Sequence, residues 1–242
     1  MEGLHHGDCL EVMKDIPDNS VDLVLTSPPY NLGHSKRKDG YHPKASRVKY
    51  NGYKDDLRLD EYEKWQVDFL NECLRVLSDR GLIFYNHKQR HKNFKFFHPL
   101  FLFNASRFNI LQNIIWSRSG GTNFNIGRFV NSHEDIIVGY KTKKFMKVCK
   151  ESEKQFDVWK INQSKGDNHP ASFPLEIPTR ILNAFSKYEN LVVLDPFMGS
   201  GTTGVACQNL GRKFLGIEMD DKYFEIAKKR ISESGNNKGL FE

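Results

Sequence analysis

Short apolar segments that alternate with amphipathic segments constrain the fold of this sequence more than any other feature. The apolar segments that predict strands are 21–27, 81–86, 109–116, 135–140, 191–195 and 213–218. Apolar residues at helical spacing predict helices over 60–79, near 92–106, and over 175–187, 202–209 and 221–232, with Gly81 as the stop of the first. This alternation is typical of an α/β protein with a doubly wound, mostly parallel sheet.

Length and composition narrow the class of protein further. A chain of 242 residues fits one large domain, and it has no apolar run close to the ~20 residues that cross a bilayer. The first residues carry acids and no apolar stretch, so we predict neither a secretory signal nor a membrane association. Four scattered cysteines without a CxxC pair predict reduced packing residues in a cytoplasmic protein rather than a metal site.

Positive charge is concentrated in a few segments. The net charge is +6, yet residues 34–50 carry a local charge of +5, residues 87–97 carry +4, and residues 141–150 carry +5. Basic segments in an otherwise acidic chain favour a surface that binds a polyanion such as nucleic acid. Solvated lysine-rich loops would give the same pattern, so charge alone leaves both interpretations open.

A glycine loop near the C-terminus predicts a cofactor site. After the strand over 191–195, Gly199, Gly201 and Gly204 spell GxGxxG at the start of a helix. Glycine permits positive φ there and lets the backbone approach a ligand closely. Glu218 ends the next strand, where a carboxylate can accept the hydroxyls of a ribose. These residues predict a cofactor that contains adenosine.

Two details favour S-adenosylmethionine over a dinucleotide. Asp195 at the strand tip places a carboxylate where an ammonium or sulfonium can sit, and a pyrophosphate would be repelled by it. Only one further strand follows the loop, whereas a dinucleotide domain needs more. A glycine turn with a purely structural role is the remaining alternative.

A second loop, Ser27-Pro28-Pro29-Tyr30, directly follows a predicted buried strand. Two prolines cannot continue a sheet ladder, so they fix a rigid loop at the carboxyl end of the strand, where α/β sheets bind ligands. The Ser27 hydroxyl and the Pro28 carbonyl can accept N–H bonds from an exocyclic amine of a base, and Tyr30 can stack on the base. A base can be gripped in this way only outside the duplex. An ordinary proline-rich turn is the alternative.

Together, the two loops resemble those of the DNA amino-methyltransferases, in which a Ser/Asp/Asn-Pro-Pro-Tyr loop is catalytic and an Asp-Pro-Phe-x-Gly-x-Gly-Thr loop binds S-adenosylmethionine. The catalytic loop comes first here, which is the circularly permuted order of the beta class. The resemblance runs from His6 to the last helix. It implies a Rossmann-like methyltransferase fold with a small inserted target-recognition region, divided into a catalytic half over 1–116, a recognition region over 117–168 and a cofactor-binding half over 169–242.

The resemblance also assigns roles to residues. The catalytic residues would be Ser27, Pro28, Pro29 and Tyr30. The cofactor residues would be Asp8, His169, Asp195, Phe197, Gly199, Gly201, Thr202 and Glu218, although Asp8 also fits a solvated turn and His169 a helix cap. Together with the basic segments, it suggests DNA contacts by Lys36, Arg37, Lys38, Lys88, Arg90, Arg118, Asn123 and Arg128. The segment 31–56 is a candidate lid over the flipped base.

The implied partner is double-stranded DNA, with a cognate restriction endonuclease where the enzyme works in a restriction–modification pair. Ser27 slightly favours N4 of cytosine over N6 of adenine as the target, and the sequence leaves monomer and homodimer both open. Three alternatives from other classes are an RNA or protein amide methyltransferase, a catalytically silent DNA-binding subunit and a nicotinamide-dependent oxidoreductase.

Overall fold

Strands and helices alternate along most of the chain. The computed structural model describes residues 3–31, 57–92, 95–118, 127, 129–162 and 174–235. The strands are β1 (Gly3–His6), β2 (Val21–Thr26), β3 (Leu77–His87), β4 (Arg90–Lys92), β5 (Lys95–Phe97), β6 (Asn109–Ser117), β7 (His133–Tyr140), β8 (Val158–Lys160), β9 (Val192–Asp195) and β10 (Lys213–Glu218). The helices are α1 (Cys9–Met13), α2 (Leu59–Val76), α3 (Leu100–Ala105), α4 (Lys150–Glu153), α5 (Glu176–Ala184), α6 (Thr202–Asn209) and α7 (Asp221–Gly235).

Eight of these strands form one sheet in the order β1-β10-β9-β2-β3-β7-β6-β8. Within it, β7 is antiparallel to both of its neighbours, and the other pairs are parallel. The chain continues from β2 to its neighbour β3 on one side and from β9 to its neighbour β10 on the other. The boundary between β2 and β9 is therefore a topological switch point, where open α/β sheets form a ligand crevice.

Both faces of the sheet are covered, as a parallel sheet requires. Alternate residues of one strand point to opposite faces, so Val24 packs in one core cluster while Leu23 and Leu25 pack in the other. Helices α1, α2 and α3 contribute to the first cluster, and α5 and α6 contribute to the second. The predicted doubly wound, mostly parallel α/β sheet is confirmed.

The predicted helix near 92–106 is wrong in its first half. Residues 90–97 contain the antiparallel pair β4–β5, and α3 begins only after Pro99. A proline disfavours helical backbone at the residue before it and is tolerated at the start of a helix, so the helix begins directly after Pro99 rather than running through it.

The predicted boundary between α2 and the next strand is also corrected. Helix α2 ends at Val76 because Leu77 is already extended, and Gly81 lies inside β3 rather than stopping the helix. A Cβ on Gly81 would lie 2.9 Å from the Asp22 carbonyl, so the glycine permits close strand contact. The region 117–168, expected to be irregular apart from one strand, also contains α4 and β8.

Cys9, Cys73 and Cys207 are buried in the core, as expected for packing cysteines. None of the helices in the described ranges is both long enough and apolar enough to cross a membrane.

Candidate active site

The two loops singled out in the sequence leave neighbouring strands at the same edge of the sheet. Strands β2 and β9 are parallel, with Leu23 opposite Val193 and Val24 opposite Leu194. Ser27 to Tyr30 follow β2 directly, and the glycine loop follows β9 directly. Because parallel strands end at the same edge, the loops meet at the switch point described above.

Helix α2 supports both loops from one side. The Tyr62 hydroxyl donates to the Pro29 carbonyl over 2.9 Å, and the Gln66 amide donates to it over 3.3 Å. One turn along, the Phe197 ring packs against Phe69 and Trp65, with centroid separations of 4.9 and 5.8 Å. One helix thus fixes the position of each loop relative to the other.

Asp195 holds the glycine loop in place. Its side chain is buried and accepts hydrogen bonds from the Phe197 amide (3.1 Å) and the Thr203 hydroxyl (2.6 Å). Burial raises the pKa of this carboxyl to about 6, although the two donors oppose the shift. The carboxylate lies at the end of β9, as predicted. Its hydrogen bonds to Phe197 and Thr203 hold the glycine turn in place.

The glycines of the loop have two different functions. Gly199 and Gly201 adopt φ of 52° and 82°, the left-handed region that favours glycine. A Cβ on Gly201 would also lie 2.9 Å from the Ala227 Cβ, and one on Gly204 would lie 2.3 Å from the Ile231 Cδ1. Gly201 and Gly204 therefore also allow helix α7 to pack closely against the loop. The sequence analysis had predicted close approach of a ligand only.

Glu218 lies beside this loop at the end of β10. It accepts from the Gly199 amide and the Asp220 amide, each over 2.9 Å, and burial raises its pKa. Each oxygen keeps a further lone pair for a ligand hydroxyl. The buried Thr202 Oγ1 has no hydrogen-bond partner among the described residues. A buried hydroxyl, two acidic strand ends and a left-handed glycine turn fit an adenosine-containing ligand with a charged amino acid end.

Asp8 lies next to this corner of the site, because β1 pairs with β10 and the Gly7 amide donates to the Glu218 carbonyl. Its carboxylate caps α1, accepting from the Leu10 amide over 2.9 Å and the Glu11 amide over 3.3 Å. A contact of Asp8 with a cofactor stays a prediction. His169 lies outside the described residues.

The Ser-Pro-Pro-Tyr loop ends in a buried hydrogen-bond network that the sequence analysis did not predict. Tyr30 Oη lies 2.8 Å from Ser27 Oγ and donates to Glu134 Oε2 over 3.0 Å. Asn86 Nδ2 donates to Tyr30 Oη (2.7 Å), Glu134 Oε2 (2.9 Å) and Ser27 Oγ (3.3 Å). The pairing of β2 with β3 explains the position of Asn86. Thr26 pairs with Tyr85, so the residues that follow them, Ser27 and Asn86, lie side by side.

The Tyr30 ring packs against His87 with a centroid separation of 4.6 Å, so the predicted stacking surface for a base is already covered on that side. Burial raises the pKa of Tyr30 well above its ordinary value, and Glu134 adds to that shift. Burial lowers the pKa of His87 to about 3. Both side chains are therefore neutral at neutral pH.

The residues predicted to contact DNA are placed differently from one another. Arg90 is only 8% exposed, lies 4.6 Å over the Tyr62 ring and donates to the Asn31 carbonyl, so it supports the end of the Ser-Pro-Pro-Tyr loop. A DNA contact by Arg90 stays a prediction. Lys88 is partly buried, with its pKa lowered by burial. Arg118 pairs with Glu134 over 3.2 Å. Residues outside the described ranges are Lys36, Arg37, Lys38, Asn123 and Arg128.

Comparison with known proteins identifies the family. The sequence profile of the N6/N4 DNA methylases matches residues 21–229. The chain belongs to this family of DNA methylases. The methylase is 32% identical to the type II methyltransferase M.BglII of Bacillus subtilis, over 95% of this chain and 68% of that protein. It is 30% identical to the type II methyltransferase M.HinfI of Haemophilus influenzae, over 94% and 67%.

Solved structures share the fold of the methylase. A putative DNA modification methylase from Thermus thermophilus, complexed with S-adenosyl-L-methionine, aligns with a TM-score of 0.69 and 25% identity, over 98% of this chain and 96% of that one. The cytosine-N4-specific PvuII DNA methyltransferase aligns with a TM-score of 0.73 and 19% identity, over 97% and 91%. The predictions of a Rossmann-like methyltransferase fold and of a DNA methyltransferase are confirmed.

Proposed function

We propose that this methylase transfers a methyl group from S-adenosylmethionine to N4 of a cytosine that has been flipped out of double-stranded DNA. The observation that carries the proposal is the position of the Ser-Pro-Pro-Tyr loop and the glycine loop on the adjacent parallel strands β2 and β9, both supported by α2. A donor in the second loop and an amine in the first would lie side by side.

The methyl donor is S-adenosylmethionine, on which the DNA methylase family depends and which the related methylase from T. thermophilus holds. When bound, it supplies an electrophilic methyl group on a sulfonium. We assign its adenosine and methionine ends to the residues around β9 and β10, with the ribose at Glu218. The remaining members of this proposed site are Asp8, His169, Asp195, Phe197, Gly199, Gly201 and Thr202.

The chain supports the chemistry by positioning the amine. The lone pair of an exocyclic amine is delocalised into the base, so the amine is a poor nucleophile. The Ser27 oxygen and the Pro28 carbonyl would each accept one of its N–H groups and turn the lone pair towards the methyl group. The Pro29 carbonyl is already occupied by Tyr62 and Gln66, which fixes the loop without using the oxygen of Pro28.

Extrusion of the base costs a few kcal/mol, which basic residues and stacking aromatics would offset. We assign the region 117–168 to sequence recognition. Because the two curated relatives are type II methyltransferases, we further propose a restriction–modification role with a cognate endonuclease.

Methyl-labelled S-adenosylmethionine incubated with the methylase and with DNA, RNA or protein tests the proposal. Digestion of the labelled DNA to nucleosides should yield N4-methylcytosine, and Ser27→Ala should abolish the label. Label that enters only RNA or protein would overturn the reaction class. N6-methyladenine would overturn the proposed target base but leave the amino-methyltransferase reaction in place.

A further inference from the structure

Glu134 lies at the end of a hydrogen-bonded chain that begins at Ser27. The chain runs from Ser27 Oγ to Tyr30 Oη over 2.8 Å and from there to Glu134 Oε2 over 3.0 Å. Glu134 is buried at 5% exposure, on the strand β7, far from Ser27 in sequence. It is not part of the Ser-Pro-Pro-Tyr loop, yet it contacts the same hydroxyl that contacts the catalytic serine.

The direction of each proton in this chain follows from the partners. Asn86 presents its amide nitrogen to the oxygens of Ser27, Tyr30 and Glu134, and that nitrogen can only donate. Arg118 Nη1 lies 3.2 Å from Glu134 Oε1 in an ion pair, and a carboxylate can only accept a hydrogen bond. The single proton of the Tyr30 hydroxyl must therefore point to Glu134.

The direction of the Ser27 proton follows next. Since the Tyr30 hydroxyl donates its only proton in the hydrogen bond to Glu134, its oxygen can accept a hydrogen bond from Ser27 but cannot donate one to it. The Ser27 hydroxyl therefore donates to Tyr30 Oη. One of its lone pairs faces Asn86 over the longer distance of 3.3 Å, and the other is left for a substrate.

We infer that Glu134 is a positioning residue that acts through Tyr30 and leaves Ser27 able only to accept a hydrogen bond from the substrate amine. This inference rests on the proposed amino-methyltransferase function. A free serine hydroxyl can rotate and point its proton at the amine, which would oppose the N–H bond that catalysis needs. With its proton held by Tyr30, the serine presents a lone pair, as an aspartate at that position would. A chain that ends on a carboxylate also polarises each oxygen in it.

Two substitutions interrupt the chain with little change of shape. Tyr30→Phe keeps the ring against His87 but removes the hydroxyl, and Glu134→Gln keeps the size of the side chain but removes the charge. Each should lower the single-turnover rate of methyl transfer by roughly 10- to 100-fold, the usual effect of losing one hydrogen bond to a charged group. The dissociation constant for S-adenosylmethionine should stay within about twofold of the wild type, because the chain lies outside the proposed donor site.

The double variant separates positioning from a general structural role. If Tyr30 and Glu134 act as one chain, Tyr30→Phe combined with Glu134→Gln should be no slower than the slower single variant. Tyr188→Phe is the matched control, since it removes a tyrosine hydroxyl that accepts from the Lys147 amide rather than from this chain, and it should keep the wild-type rate. Should Glu134→Gln fail to fold, Tyr30→Phe alone still decides.

A second readout comes from a variant that again has a hydrogen-bond acceptor for the amine at position 27. In Ser27→Asp, the carboxylate accepts a hydrogen bond without a hydroxyl proton that must be oriented. Glu134→Gln removes the negative charge that would repel this new carboxylate. The pair Ser27→Asp with Glu134→Gln should therefore be faster than Glu134→Gln alone. Wild-type rates in Tyr30→Phe and Glu134→Gln, or losses that multiply in their double variant, would overturn the inference. A wild-type protein that methylates no DNA would instead overturn the proposed function.

Discussion

At the scale of single residues, the site depends on buried polar groups that keep one protonation state. His87 is 2% exposed, stacks on Tyr30 and Tyr85, and lies 2.7 Å from the Tyr62 hydroxyl. Its Nδ1 lies 2.8 Å from the Lys88 carbonyl. The neutral ring therefore links α2, β3 and Tyr30, and a charged ring would disturb all three.

We predict that His87 makes folding sensitive to acid. Burial lowers its pKa to about 3 in the folded protein, whereas the unfolded chain takes up a proton near 6.5. Since the unfolded state binds more protons between these values, stability falls as the pH drops, by about 2 kcal/mol between pH 7 and pH 5 from this residue. Denaturant unfolding of the wild type and His87→Gln at both pH values measures this, and equal pH dependence in the two proteins would contradict it.

Gly201 provides a second prediction at this scale. Gly201→Ala should destabilise the protein by about 2 to 4 kcal/mol, from the left-handed φ and from overlap with Ala227. Gly211→Ala is the control, because Gly211 has a φ of 64° with no atom near the added Cβ, and only the φ cost applies. Thermal unfolding with and without S-adenosylmethionine compares them. A Gly201→Ala protein as stable as Gly211→Ala would show that contact with α7 is unimportant.

At the scale of elements, α2 contacts both the Ser-Pro-Pro-Tyr loop and the glycine loop. Tyr62 and Gln66 hold the Pro29 carbonyl, whereas Trp65 and Phe69 hold the Phe197 ring. Tyr62 and Gln66 are four residues apart, as are Trp65 and Phe69, so one face of the helix serves both loops. Movement of this helix would change the distance between amine and donor.

This arrangement predicts separable effects on the two loops. Tyr62→Phe removes the hydroxyl that fixes Pro29, so the rate of methyl transfer should fall about tenfold while donor affinity is kept. Phe197→Ala removes the ring beside the glycine loop and should weaken donor binding about tenfold or more. Single-turnover kinetics and calorimetric titration with S-adenosylmethionine measure both. A loss of donor affinity in Tyr62→Phe equal to that in Phe197→Ala would mean that the loops have been assigned wrongly.

Elements with local signals were predictable, and elements set by long-range pairing were not. Helix α6 and strand β10 have the predicted bounds, because a glycine turn, helical spacing and an apolar run mark them within a few residues. The predicted helix near 92–106 included β5 because the Lys and Phe residues of this segment give no clear strand signal, and its pairing with β4 is antiparallel. Glu134 was missed for a related reason. Only the antiparallel pairing of β7 with β3 brings it to Tyr30, and no nearby residue in the sequence indicates that pairing.

At the scale of the whole molecule, the positive charge in the sequence is expected to serve DNA binding. The triple change Lys36→Ala, Arg37→Ala and Lys38→Ala should weaken binding to DNA, while donor affinity is unchanged. The slope of the logarithm of the DNA association constant against the logarithm of the salt concentration should become shallower by about 2 to 3. The control carries the same change of charge on α7, at the exposed residues Lys222, Lys228 and Lys229. Equal salt dependence in the two triple variants would contradict a DNA contact at 36–38.

The central claim is that an amine held by Ser27 and a methyl donor held by the glycine loop share one crevice between β2 and β9. A crystal structure of the protein with S-adenosylmethionine tests it most directly. We predict that the donor sulfur lies within about 7 Å of Ser27 Oγ, the span of one in-line transfer to a hydrogen-bonded amine. A donor bound outside that reach, or away from Gly199 and Glu218, would contradict the account.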